Sequence, residues 1–365
     1  MSSQSEIVPT REIPDEMPVP SRDIFPSDDL LNLYPEIAPI LRVEKTIKYF
    51  KDADAKAIIK KSIFVRLGTI SLILVALVLT LLSWRLSLAL LSISFPFWLE
   101  LSSGVIGLIA LFIQLYLFLT DAHQNWLYSR YIAEKTRLWR FQILLDGEFV
   151  SKFLQSPASY QAELEKRWIV FKEQFNHGLG GMNEFIEYQP LELMIKPTSY
   201  TESKFLAQIK EIYLMLRIDV QSTHFGDQYA RLSVVDSLTD SWAKVLLGTS
   251  GILAVFEACL LTFQAAGTFD SENFGFKILT AVMAGLSLTF AIVSAAIRVY
   301  RSASAIAEDR ERYRSKQNHL KRIKDFFKEE TDSSKILDLM TETEHACNEE
   351  LQEFLISLRR SDYFF

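Results

Sequence analysis

Four stretches decide this chain: IFVRLGTISLILVALVLTLLS (Ile63–Ser83), LELSSGVIGLIALFIQLYLFLT (Leu99–Thr120), VLLGTSGILAVFEACLLTF (Val245–Phe263) and FKILTAVMAGLSLTFAIVSAAIRV (Phe276–Val299). Each has about the 17–25 residues that carry a helix across a hydrocarbon core, and much of that length is uncharged. A soluble domain has no use for four such runs. They predict an all-α integral membrane protein whose function lies in the bilayer.

The rest of the composition fits a chain that is only partly in lipid. Of 365 residues 49% are hydrophobic, and the formal net charge is −6. The two ends are acidic and the flanks of the apolar runs are basic. No basic patch with interleaved aromatics stands apart from those flanks, which argues against nucleic acid as a partner. Cys259, inside the third run, and Cys347 form no metal or disulfide pattern and read as structural or free thiols, which suits a cytoplasm-facing protein. The opening residues lack a basic segment followed by a short apolar one, so the first run is expected to be a retained anchor.

Working outward from the runs, residues 1–45 are Pro-rich and polar, and predict a disordered tail with a docking motif around Leu30, Leu31, Leu33 and Tyr34. Residues 46–147 form a first two-span domain and 201–328 a second. Between them, 148–200 read as a helical insert with breaks at Pro157, Gly178–Gly181, Pro190 and Pro197. Residues 329–365 form an amphipathic tail whose apolar stripe (Leu351, Phe354, Leu355, Leu358) suits a partner. No Gly or Pro lies between the end of the second run and Gly147, nor after the fourth until the late 320s. Both spans are therefore expected to continue as single helices out of the membrane.

The halves share a layout. Ile132-Ala-Glu134 superposes on Ile306-Ala-Glu308, and Leu67-Gly-Thr69 on Leu247-Gly-Thr249, which points to internal duplication. Basic residues cluster before runs 1 and 3 (Lys56, Lys60, Lys61, Arg66; Arg231, Lys244) and after runs 2 and 4 (Arg130, Lys135, Arg137, Arg140; Arg298, Arg301, Arg310, Arg312, Arg314). By the positive-inside rule both termini and the insert are cytoplasmic. The expected architecture is two transmembrane hairpins with long cytoplasmic helical extensions.

Catalytic signatures are missing: there is no phosphate loop and no paired metal-binding histidines, and the five histidines are scattered. Gly178-Leu-Gly-Gly181 lacks the lysine of a phosphate cradle and reads as a turn. No enzyme, metal or cofactor is expected. Glu257 is sharper, lying 13 residues past Lys244 and well inside the slab. An ionisable group there costs about 2.5–3.5 kcal/mol, against ~0.3–0.6 kcal/mol gained per large apolar residue. It is either a pore-lining carboxylate or one that is protonated or paired with Gln114 or Gln264. Small residues four apart (Ser103 and Gly107, Ala281 and Gly285, Ala291 and Ala295) let spans approach closely, within the chain or between copies.

Ahead of run 3, Tyr213, Arg217, Gln221 and Phe225 stand four apart on one helix face. This stripe, then two spans, then Ala307-Glu308-x-x-x-Arg312-Tyr313-Arg314, resembles the SLATT group (SMODS- and SLOG-associating two-transmembrane effector domains). Run 2 with Ala133-Glu134-x-x-Arg137-x-Trp139-Arg140 resembles a second copy, and the pair would cover residues 45–330. The resemblance implies a bacterial inner-membrane effector that oligomerises into a pore when a partner protein makes or senses a nucleotide-derived signal. Glu257 and Gln114 would line the conduit. The alternative is a non-conducting scaffold or sensor that recruits cytoplasmic partners.

Overall fold

Hydrocarbon offers a backbone no hydrogen bonds, so a long apolar run pairs its own amides and carbonyls as a helix. In the computed structural model, which describes residues 23–24, 28–35, 37–89, 91–146, 149–150, 153, 156–173, 203–266 and 274–359, every element is helical. In chain order these are α1 (Asp28–Leu33), α2 (Ala38–Leu41), α3 (Glu44–Ala89), α4 (Phe97–Leu119), α5 (Ala122–Leu145), α6 (Pro157–Glu173), α7 (Ser203–Tyr213), a π turn (Leu214–Asp219), α8 (Val220–Ala265), α9 (Phe274–Ala303), α10 (Ile306–Glu329) and α11 (Ser333–Arg359).

Helices α3, α4, α8 and α9 contain the four runs and are long and apolar enough to cross a membrane. Only 6–22% of each apolar window is buried within the protein, so side chains such as Phe112, Ile252 and Val255 need an apolar surrounding from outside the chain. Helix α3 packs on α4, α5 and α9, while α8 packs on α9 and α10. Serines join the apolar helices where their backbones come close. Ser250 Oγ donates to Ser287 O (2.8 Å), Ser287 Oγ to Ser250 O (3.0 Å), and Ser294 Oγ to Ala243 O (2.7 Å). Gly285 lies against the Trp84 ring of α3, and Gly107 faces Val78. Ala281 is buried, Ser103 and Ala291 are half-buried, and Ala295 is exposed.

The expectation of uninterrupted helices leaving runs 2 and 4 is overturned. Asp121 (φ 46°, ψ 38°) separates α4 from α5, and Ala305 (φ 46°, ψ 34°) separates α9 from α10, both in the left-handed region. Such a residue costs about 1–2 kcal/mol without glycine's freedom, so surrounding contacts must hold it. Asn125 Nδ2 caps Thr120 O at 3.0 Å beside the first break. At the second, Ala305 is buried in an apolar cluster with Cys347, Leu351 and Leu355 of α11. The superposed triplets also differ in place, since Ile132 lies well inside α5 whereas Ile306 opens α10.

The charged helices form their own core around Phe141, Tyr213, Leu320, Phe327, Leu337 and Met340. Ile37, Ile40 and Leu41 belong to it, so the expected disordered tail does not extend through residue 45. Within the insert, Trp168 and Phe171 of α6 pack on Trp139, with ring centroids 5.1 and 5.2 Å away. Residues 1–22, Gly178–Gly181, Pro190 and Pro197, named in the sequence reading, lie outside what is described.

Candidate functional site

The stripe residues lead into the most deeply buried polar cluster among the described residues. Tyr213 and Arg217 are 0% and 1% exposed, and Gln221 and Phe225 are also buried. A π turn, Leu214–Asp219, interrupts the α7–α8 rod at Arg217, and such turns are rare and often found at functional positions. Arg217 grips Glu344 of α11 at two points, Nε to Oε1 and Nη2 to Oε2, both 2.8 Å. Tyr213 OH donates to Glu344 Oε1 at 2.7 Å. Burial and the adjacent Glu344 charge push this hydroxyl well above its ordinary pKa, so it stays a donor.

A second carboxylate comes from the other end of the chain. Asp23 Oδ2 lies 3.0 Å from Arg137 Nε, 3.1 Å from Gln221 Nε2 and 4.0 Å from Arg217 Nη1. Burial lifts its pKa against the pull of Arg137 and Arg217. Arg137 also holds Glu134 (2.9 Å), which pairs with Arg130, and Arg130 reaches Asp54 of α3 at 3.1 Å. Burial opposes the Glu134 charge, but Arg130 and Arg137 outweigh it and hold the carboxyl down at about 2. Burial, then Arg137 and Arg130, push His224 down to about 4, so it is neutral near pH 7. Arg140 donates to the backbone oxygens of Ile24 and Leu41.

The first-half motif residues Glu134 and Arg137 therefore join the stripe, over a fully buried Ala133, while Trp139 faces α6 instead. The second half behaves differently. Tyr313 stacks on Phe225 (5.8 Å, 27°), but Glu308 and Arg314 are exposed and Ala307 is half-buried. The inward ion pair there is Asp309–Arg312 (2.8 Å), with the same three-residue spacing as Glu134–Arg137. Set against the triplet superposition, these two ion pairs lie one residue out of register. Arg312 continues to Glu350 of α11 (3.4 Å), where burial outweighs Arg312 and lifts the carboxyl to about 7.

Glu344, Asp23 and Glu350 were not among the sequence candidates. Glu344 had a signal: it occupies an apolar position in the α11 stripe Leu337, Met340, Cys347, Leu351, Leu355. That stripe is buried in the chain's own core, so it is not the free partner surface the sequence suggested. Asp236, also unforeseen, is held by Arg301 of α9 (2.6 Å) and Arg310 of α10, bridging the break at Ala305.

The polar residues within or next to the apolar runs are dispersed. Gln114 on α4 donates to Ser71 Oγ of α3 at 2.9 Å. Glu257 and Gln264 are half-buried on α8, which packs on α9, so Gln114 and Glu257 belong to different helix pairs. No group of three or more metal-ligating side chains occurs among the described residues. No family model, curated protein or solved structure matches this chain.

Proposed function

We propose that this chain is a non-enzymatic membrane effector of the SLATT kind, which permeabilises the bacterial inner membrane once several copies assemble. In this reading α3–α4 and α8–α9 are two transmembrane hairpins. The charged bundle and both termini face the cytoplasm, where most flanking Lys and Arg lie. The observation that carries the proposal is Glu257, a half-buried carboxylate on the span whose apolar window is the least covered of the four, at 6%. A carboxylate at that depth needs water or a polar partner. Helix α9 covers one side of α8, so neighbouring copies would supply the remaining wall of a conduit. The trigger would come from a partner protein that makes or senses a nucleotide-derived signal, and would act on the buried ion network.

Dye or ion leakage from liposomes tests the proposal. Assembled, triggered protein that releases neither rejects it. The second reading is a non-conducting scaffold. Against it, its recruiting stripe at Leu351 and Leu355 is occupied within the chain. Glu257→Ala separates the two: loss of toxicity with assembly intact favours the pore, and an unchanged phenotype the scaffold.

A further inference from the structure

We infer that the π turn Leu214–Asp219, locked by the Arg217–Glu344 pair, is a rotation switch that sets which face of α8 meets α9. A π turn closes its hydrogen bonds one residue later than an α turn, so it stores one extra residue in an otherwise α-helical rod. If it relaxes to α, everything on one side turns by about 100°, the rotation of a single residue at 3.6 per turn. An unusual turn of this kind persists only where contacts hold it, and here they come from both ends of the chain. Glu344 of α11 takes Arg217 at two points and receives Tyr213 OH, while Asp23 lies against Arg217, Arg137 and Gln221. Lys324 of α10 adds a 2.6 Å pair to Asp219 at the turn's last residue.

The side whose apolar window is less buried is α8, which packs on α9 and α10. On the α7 side, Leu206, Ile209 and Ile212 are each 3% exposed or less in the main core. On the α8 side, only 6% of the apolar window is buried. The reciprocal Ser250–Ser287 bonds and the Asp236–Arg301 pair hold the resting face and would be exchanged on turning. The same turn would carry Glu257 to a new face. That consequence for conduction rests on the proposed function; the rotation itself does not.

Ser250 Oγ and Ser287 Oγ are 3.3 Å apart, so a cysteine pair there reads the resting face directly. In the full chain in liposomes, with Cys259→Ser and Cys347→Ala, Ser250→Cys with Ser287→Cys should oxidise rapidly. Glu344→Gln, or deletion of Met215 to excise the extra residue, should slow that crosslink several-fold. A control pair in the first two runs, Ser71→Cys with Ala110→Cys, where Ser71 Oγ now donates to Ala110 O at 3.4 Å, should oxidise equally in all backgrounds. An unchanged Ser250–Ser287 rate in either variant overturns the switch. So does a parallel fall in the control pair, which would mean general loosening. Leakage measured on the same samples tests the pore separately.

Discussion

Arg217 and Glu344, 127 residues apart in sequence, form a two-point ion pair with both contacts at 2.8 Å and both side chains at most 1% exposed. It joins the rod leading into the third apolar run to the last described helix. Planar two-point pairing of this kind fixes orientation as well as distance. Removing both charges from water costs heavily, however, so its value lies more in specificity than in stability.

Glu344→Ala should accordingly destabilise the charged bundle by about 3–5 kcal/mol, because it strands the Arg217 charge in a dry core. Replacing both partners, Arg217→Met with Glu344→Leu, should recover most of that loss. Denaturant unfolding in detergent, followed by near-ultraviolet circular dichroism, would check both. A double variant as unstable as the single one would contradict the assignment.

Docking of α11 should depend on pH through Glu350. This carboxyl faces Arg312, Asp309 and Tyr313 of α10 and Arg130 and Glu134 of α5. Burial raises it from 4.5 to about 7. A raised folded-state value favours the protonated, docked form, so its contribution is full below about pH 4.5 and is lost as pH rises through 7. Glu350→Gln should flatten that dependence between pH 5 and 8, by an amount on the order of 3 kcal/mol at the upper end. The comparison with wild type isolates Glu350 from the other carboxylates, and limited proteolysis of α11 reports docking.

Two glycines should respond oppositely to alanine. A Cβ at Gly285 would sit 3.0 Å from the Trp84 ring, which is stiff, so Gly285→Ala should cost about 1–3 kcal/mol. At Gly226 the obstacle is the amide end of Gln317, which can swing away. Gly226→Ala should then be neutral or stabilising by up to ~1 kcal/mol, the usual gain in a helix interior. Thermal unfolding of the two variants side by side decides this.

Glu257→Leu should make the third span insert more favourably, by about 3 kcal/mol on insertion scales. If Glu257 lines a conduit, that variant should also abolish liposome leakage while Glu257→Gln keeps part of it. Equal leakage from wild type and Glu257→Leu would exclude Glu257 from the conducting path.

The stripe Tyr213–Arg217–Gln221–Phe225 was legible because four-residue spacing puts side chains on one helix face whatever lies opposite. Its partner Glu344 was only half legible: a carboxylate in an apolar stripe signals burial but does not name the charge it meets. The break at Ala305 was not legible, since alanine favours a continuous helix. Asp121 is a residue type that starts helices and tolerates the left-handed region, but the basic pattern around it gave no reason to place a break there. Neighbouring contacts hold both turns.

By itself the sequence determined the four apolar runs. Transfer to hydrocarbon sums over about 20 consecutive residues and needs no knowledge of the fold. Only the tertiary structure decided that Asp23 and Glu344, from opposite ends of the sequence, converge on Arg217, and that the helices leaving the second and fourth apolar runs are interrupted. Pairing between distant charges, and strain held by packing, depend on where whole helices lie, and no local pattern encodes that.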